Sequence, residues 1–184
     1  LSDGRTCLER AGIAEAENKL RWVAAHLLGC GLLDSLRHLE ETPSPELAQA
    51  FAAAVARLAT DEPVQYVIGE TDFMGVKIRC DARALIPRPE TELLVEAALG
   101  LLPKNGSMLD ICTGSGAVAV AVAHERPDCS VTGSDISGGA LEVARKNGDA
   151  LVQGRVRFVQ SDLFAAFEGV RFDVVTANPP YIDP

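Results

Sequence analysis

Hydrophobic positions recur on two different periods along this chain, and the change between them marks its organisation. Through residue 62 the spacing is helical. Leu20, Val23, Ala24, Leu27 and Leu28 fall three and four apart, and Leu47, Ala50, Phe51, Ala54, Val55 and Leu58 repeat the pattern. Gly29 and Gly31 are placed to end the first of these helices. Ser44 followed by Pro45 opens the second as N-cap and first helical residue. Val64–Ile68 and Phe73–Cys80 are β-rich and joined by Gly69-Glu70-Thr71-Asp72, which predicts a hairpin across 63–86. Ile86-Pro87-Arg88-Pro89 is a loop, and a helix follows from about Glu90 to Leu102.

Beyond Ser107 short apolar strands alternate with helices. The strands are Met108–Ile111, Ser130–Ser134, Val156–Gln160 and Phe172–Ala177, with helices over Ala117–His124 and up to about Asn147. That alternation predicts a parallel sheet covered by helices on both faces. The expected fold class is therefore α/β. A Rossmann-like domain over 87–184 is preceded by a small helical bundle, 1–62, and a β-hairpin linker, 63–86.

Composition narrows the field without choosing a function. Of 184 residues 47% are hydrophobic and 23% charged, an ordinary globular balance that excludes a mainly disordered chain. The net charge of −9 weighs against broad electrostatic binding of nucleic acid, and residues 1–62 alone carry ten acidic against six basic side chains. Five cysteines, an odd number with no CxxC pair, predict reduced thiols and a cytoplasmic protein. The longest apolar run, Ala117–Ala123, is far short of the ~20 residues needed to span a bilayer. The three histidines have no partner spacing, so no metal site is expected, and Trp22 is expected in the core.

Candidate chemistry begins at Asp110-Ile-Cys112-Thr113-Gly114-Ser115-Gly116, between the first parallel strand and its helix. Glycines there let the backbone turn tightly and approach a ligand. Asp135, ending the second strand, suits a ribose diol, and Asp162 stands just past the third strand on the same edge. Gly114-x-Gly116-x-x-Ala119 with Asp135 also fits a dinucleotide fingerprint. Asp110, however, suits a cationic ligand better than a pyrophosphate.

The fourth strand ends in Asn178-Pro179-Pro180-Tyr181. Paired prolines hold an extended backbone whose carbonyls point in fixed directions. An amide or exocyclic amine nitrogen is a poor nucleophile because its lone pair is delocalised. If the Asn178 side-chain oxygen and the Pro179 carbonyl each accept one of its N–H groups, density returns to nitrogen and its position is fixed. Tyr181 can pack against the flat face of such a group.

Taken in order, these blocks resemble a known family. The acidic glycine turn and the acid after the second strand are those of class I S-adenosylmethionine-dependent methyltransferases, and Asn-Pro-Pro-Tyr marks the subset that methylates nitrogen. Pro63–Glu70, Ile86–Glu92, Asp110–Gly116, Ser134–Ile136, Gln160–Asp162 and Asn178–Ile182 together resemble the HemK/PrmC type, the release factor N5-glutamine methyltransferases. The resemblance implies transfer of a methyl group from S-adenosyl-L-methionine to the glutamine amide of the Gly-Gly-Gln motif of peptide chain release factors, leaving S-adenosyl-L-homocysteine. Asp110 would bind the donor, with Cys112, Thr113, Gly114, Ser115 and Gly116 lining its methionine part and Asp135 holding its ribose. Asp162 and Leu163 would border its adenine. Asn178, also next to the donor, would hold the glutamine with Pro179, Pro180 and Tyr181, with Asn178, Pro179 and Tyr181 catalytic. The helical segment would help grip the release factor, and a monomer is expected, with neither membrane nor direct nucleic-acid contact.

Two departures stand out: Cys112 where the family commonly has glycine, and Ser137-Gly138-Gly139 in place of a proline-containing helix start. The family's sheet also continues beyond the tetrapeptide, so C-terminal strands are expected to be missing here, and activity of this piece alone with them. Competing readings are a nucleic-acid amino methyltransferase, a non-catalytic donor-binding module and, more distantly, a NAD-dependent dehydrogenase. Arg88 and Glu90 are candidates to close over the donor, with an ordinary surface loop as the alternative.

Overall fold

The computed structural model describes residues 2–38 and 41–180, so Tyr181 lies outside the described residues. The chain divides into two compact units, at Gly69/Glu70.

The first unit is helical: α1 (Ser2–Arg10), α2 (Ala16–Leu28), the short α3 (Leu32–Ser35), α4 (Pro45–Leu58) and α5 (Val64–Ile68). Its core joins Leu8, Leu20, Val23, Val55, Leu58 and Val64. Gly29 ends α2 at φ 64°, and the Ser44 hydroxyl accepts the Leu47 N–H to cap α4, both as predicted. Gly31 instead is extended at φ −68° and precedes α3. Trp22 is exposed on α2, contrary to expectation.

The larger correction is α5, predicted as the first hairpin strand. Val64, Val67 and Ile68 are spaced i, i+3, i+4 and pack on the helical core, which outweighs the β-propensity of Val, Tyr and Ile. Gly69 at φ 87° stops the helix, and the Arg57 guanidinium donates to the carbonyls of Tyr66 and Val67 at 3.0 and 3.2 Å. The hairpin thus begins where its turn was expected, as β1 (Glu70–Phe73) and β2 (Val76–Arg79). Met74 and Gly75, both at positive φ, form its two-residue turn, and the Met74 N–H donates to Glu92.

In the second unit α6 (Glu92–Leu101) precedes β3 (Ser107–Ile111), α7 (Ala117–Glu125), β4 (Ser130–Asp135), α8 (Gly138–Val152), β5 (Val156–Gln160) and β6 (Val174–Ala177). The sheet is parallel, in the order β5-β4-β3-β6. Every residue from Ala117 to Ala123 is buried, as a helix apolar all round requires. Phe73 and Ile78 of the hairpin join Val95, Met108, Val120 and Val122 in one core. Among the described residues no helix is long and apolar enough to cross a membrane.

Candidate functional site

Strand order reverses beside β3: the chain runs outward through β4 and β5, then returns to place β6 on the other side. Backbone loops diverge there at the carboxyl edge, leaving the crevice where open α/β sheets bind ligands. The glycine turn leaves β3 on one side of that crevice and Asn178 follows β6 on the other. Asp110, Cys112, Thr113, Ser115 and Asn178 line a common cavity of about 60 Å³ with the loop at Leu85–Arg88 and with Thr91. Ligand pockets usually reach ~300 Å³ or more, so a nucleoside ligand would lie mostly along the open edge.

The turn is pinned from several directions. The Thr113 N–H donates to the Ser134 carbonyl at 2.9 Å, and the Gly116 N–H to the Thr113 carbonyl at 2.8 Å. Asp135 accepts the N–H groups of Gly114 and Ser137, each at 2.9 Å, and so ties the turn to the start of α8. The Ser137 hydroxyl caps that helix at Ala140. Beneath the turn lies the Phe158 ring; a Cβ on Gly133 or Gly148 would come within 2.8 or 2.9 Å of it. Cys112 is held at φ 56°, in the left-handed region that a glycine occupies without strain.

Asp110 is 2% exposed, and its carboxylate accepts the hydroxyls of Thr113 and Thr176 at 2.6 and 2.7 Å. Burial pushes its pKa up to about 6, against the pull of those two hydroxyls; the Asp135 charge adds to the rise. The Asp110 carboxylate is thus engaged within the protein, although the residue borders the cavity. The Cys112 thiol is pushed up by burial and then by the charges of Asp135, Asp110 and Asp162. Three carboxylates therefore act on one point of the turn, a field that favours a cation over a pyrophosphate. A raised pKa also agrees with giving Cys112 no nucleophilic role.

Asp162 and Leu163 are exposed just after β5. Leu163 is held at φ 45°, and its carbonyl accepts the hydroxyl of the buried Ser161 at 3.0 Å. The Asn178 amide donates to the Thr91 hydroxyl at 3.2 Å, while Pro179 and Pro180 are exposed beyond it. Arg88 borders the cavity and Glu90 is exposed without lining it. No group of His, Cys, Asp and Glu suited to a metal occurs among the described residues.

Four residues at or near this edge receive no individual role from the sequence, although Thr91 and Ile136 fall inside the blocks Ile86–Glu92 and Ser134–Ile136. Thr91 and Thr176 are two. Asn147 is a third: 1% exposed, it exchanges two hydrogen bonds with the Arg79 backbone at 2.9 and 3.0 Å, and donates to the Ser115 carbonyl at 2.9 Å. The fourth, Ile136, exposes its side chain directly after Asp135.

Family models match both parts of the chain: "PrmC N-terminal domain" over residues 1–69 and "Methyltransferase small domain" over residues 89–184. A release factor glutamine methyltransferase of Burkholderia pseudomallei is 41% identical over 170 residues, 88% of this chain and 60% of the relative. The protein of that name from Neisseria gonorrhoeae is 47% identical over 146 residues, 78% and 53% of the two chains. That of Rhodospirillum rubrum is 39% identical over 184 residues, 99% and 56%. The chain thus spans little more than half the length of these relatives.

Proposed function

The chain belongs to the methyltransferases that join a PrmC N-terminal domain to a methyltransferase small domain, and from that premise we propose that the whole protein transfers a methyl group from S-adenosyl-L-methionine to the N5 amide of the glutamine in the Gly-Gly-Gln motif of peptide chain release factors. The observation that carries this reading is the facing of Asn178 and an acid-ringed glycine turn across one cavity. Bound along this edge, the donor supplies an electrophilic methyl on a sulfonium. The carboxylates of Asp110, Asp135 and Asp162 complement that positive charge, whereas a dinucleotide pyrophosphate would meet repulsion.

The residues of the chain do the rest by position. Cys112 to Gly116 hold the donor's methionine part, Asp135 retains lone pairs for its ribose hydroxyls, and Asp162 and Leu163 border its adenine. The Asn178 side-chain oxygen and the Pro179 carbonyl accept the two N–H groups of the glutamine amide. Both acceptors make that nitrogen more electron-rich as it attacks, and both fix its direction. Pro180 keeps the backbone extended, and Tyr181 covers the amide face. The N–H proton is lost to solvent as the new bond forms, with no dedicated base. The helical unit contributes to gripping the release factor. The protein works as a cytoplasmic monomer, with no membrane contact.

The test is to incubate the full-length protein with isotopically labelled donor and either a release factor or nucleic acid. Label in the glutamine of Gly-Gly-Gln is expected. Label confined to nucleic-acid amines would replace this reading with an amino methyltransferase of nucleic acid, and donor binding without turnover on either would leave a binding module.

A further inference from the structure

The donor turn and the tip of β6 are joined inside the sheet by a side-chain link that no backbone pattern provides. Asp110 and Thr176 are register partners on β3 and β6. The Thr176 hydroxyl, in a residue 4% exposed, donates to one oxygen of the Asp110 carboxylate at 2.7 Å. The other oxygen accepts the Thr113 hydroxyl at 2.6 Å, also out of solvent. Both are short, charge-assisted bonds, which are stiffer and stronger than neutral ones. Thr113 lies within the turn, and Thr176 is two residues before Asn178. A single carboxylate therefore spans the two walls of the cavity.

The link needs explanation because it is costly. A carboxylate out of water is unfavourable; among the described residues its support comes from the Thr113 and Thr176 hydroxyls and the Ala119 N–H rather than from a Lys or Arg, and the Asp135 charge repels it. A Val at 176 would suit an apolar strand by itself, as at the neighbouring positions 174 and 175, but it would leave one oxygen of the buried Asp110 carboxylate without its donor. Threonine stands at the one strand position where a hydroxyl meets Asp110.

We infer that Thr176 is a positioning residue: through Asp110 and Thr113 it locks the donor turn in register with Asn178, so that the methyl group and the amide nitrogen meet in one fixed geometry. This inference rests on the methyl-transfer reading above. Displacement of reacting groups by about 1 Å can cost on the order of 100-fold in rate. Loss of the hydroxyl should therefore act on turnover more than on binding, because Thr113 still holds Asp110 and the β3–β6 ladder remains.

The full-length protein and its Thr176→Val and Thr176→Ser variants test this in three readouts: calorimetric affinity for S-adenosyl-L-homocysteine, kcat and KM for release factor methylation, and amide hydrogen exchange over 113–116. T176V should keep the affinity and both KM values within a few-fold, lose ten-fold or more in kcat, and exchange faster over the turn. T176S should restore kcat and protection to near wild type. Equal kcat and protection in T176V and wild type would overturn the inference. So would equal impairment of T176S and T176V, which would point to packing rather than the hydroxyl. If T176V does not fold, Thr176→Ala replaces it with the same expectations. If the wild-type protein methylates no release factor, the methyl-transfer reading fails, and unchanged exchange in the valine variant would then show that the link itself is absent.

Discussion

The helical unit and the sheet unit handle polar groups in opposite ways. Among the described residues the first buries only Ser35; the second buries Asp110, Thr113, Ser115, Ser134, Asn147, Ser161 and Thr176. Ion pairs of the helical unit, such as Arg5–Glu9 and Arg37–Asp34, lie in solvent. An apolar core with charges outside is the arrangement that stabilises a fold most directly. Buried polar groups contribute less net stability and fix geometry more tightly. The carboxyl edge of the sheet is built the second way, with Cys112 and Leu163 also held at positive φ. Precision is concentrated where the candidate chemistry lies.

That contrast can be broken at graded points. Asn178→Ala in the full-length protein should lower the methylation rate on the order of 100-fold or more while leaving donor affinity within a few-fold, measured by single turnover and calorimetry. Near-normal turnover would remove Asn178 from its assigned role.

Asn147→Ala is the largest expected loss of stability. It strips partners from the Arg79 N–H and carbonyl and from the Ser115 carbonyl. At about 1–3 kcal/mol for the buried Ser115 carbonyl and less for the part-buried Arg79 groups, the loss should be on the order of 3 kcal/mol by denaturant unfolding. A truncation in the helical unit, Arg57→Ala, breaks a half-exposed pair with Glu62 and two exposed bonds to the Tyr66 and Val67 carbonyls, and should move the midpoint far less.

Asp110 makes the contrast pH-dependent. Its folded pKa of about 6 lies above the usual carboxylate value of 3.8, so the fold favours the protonated form. The resulting contribution to stability is complete below about pH 4 and is lost as pH rises through 6. Asp110→Asn mimics the neutral form at every pH. Relative to wild type it should therefore gain stability between pH 4 and 7, on the order of 3 kcal/mol for a shift of about two units. A difference between the two that stays flat with pH would contradict the burial argument. The smallest effect is expected from Cys112→Gly, which relieves a left-handed backbone and should raise stability by about 1 kcal/mol.

What the sequence reveals follows the same division. Local signals read correctly: the Ser44 cap, the Gly29 stop, the alternation of strands and helices, and the turn between β3 and α7. The segment Val64–Ile68 misleads because its β-branched residues favour a strand, while the decisive packing comes from helices elsewhere in its unit. The roles of Thr91, Asn147 and Thr176 are invisible for a related reason. Their partners lie 87, 68 and 66 residues away, and the local sequence around a polar residue does not say whom it meets. Asp110 is visible as an acid beside a glycine turn. Only the structure adds that its carboxylate is clasped between two threonines.

The most direct test of the central claim is a crystal structure of the full-length protein with S-adenosyl-L-homocysteine and a glutamine-containing peptide. The account predicts the homocysteine sulfur on the Asn178 side of the glycine turn, with the glutamine amide nitrogen between that sulfur and the acceptors of Asn178 and Pro179. A sulfur turned away from Asn178, or an amide held by other groups, would contradict it.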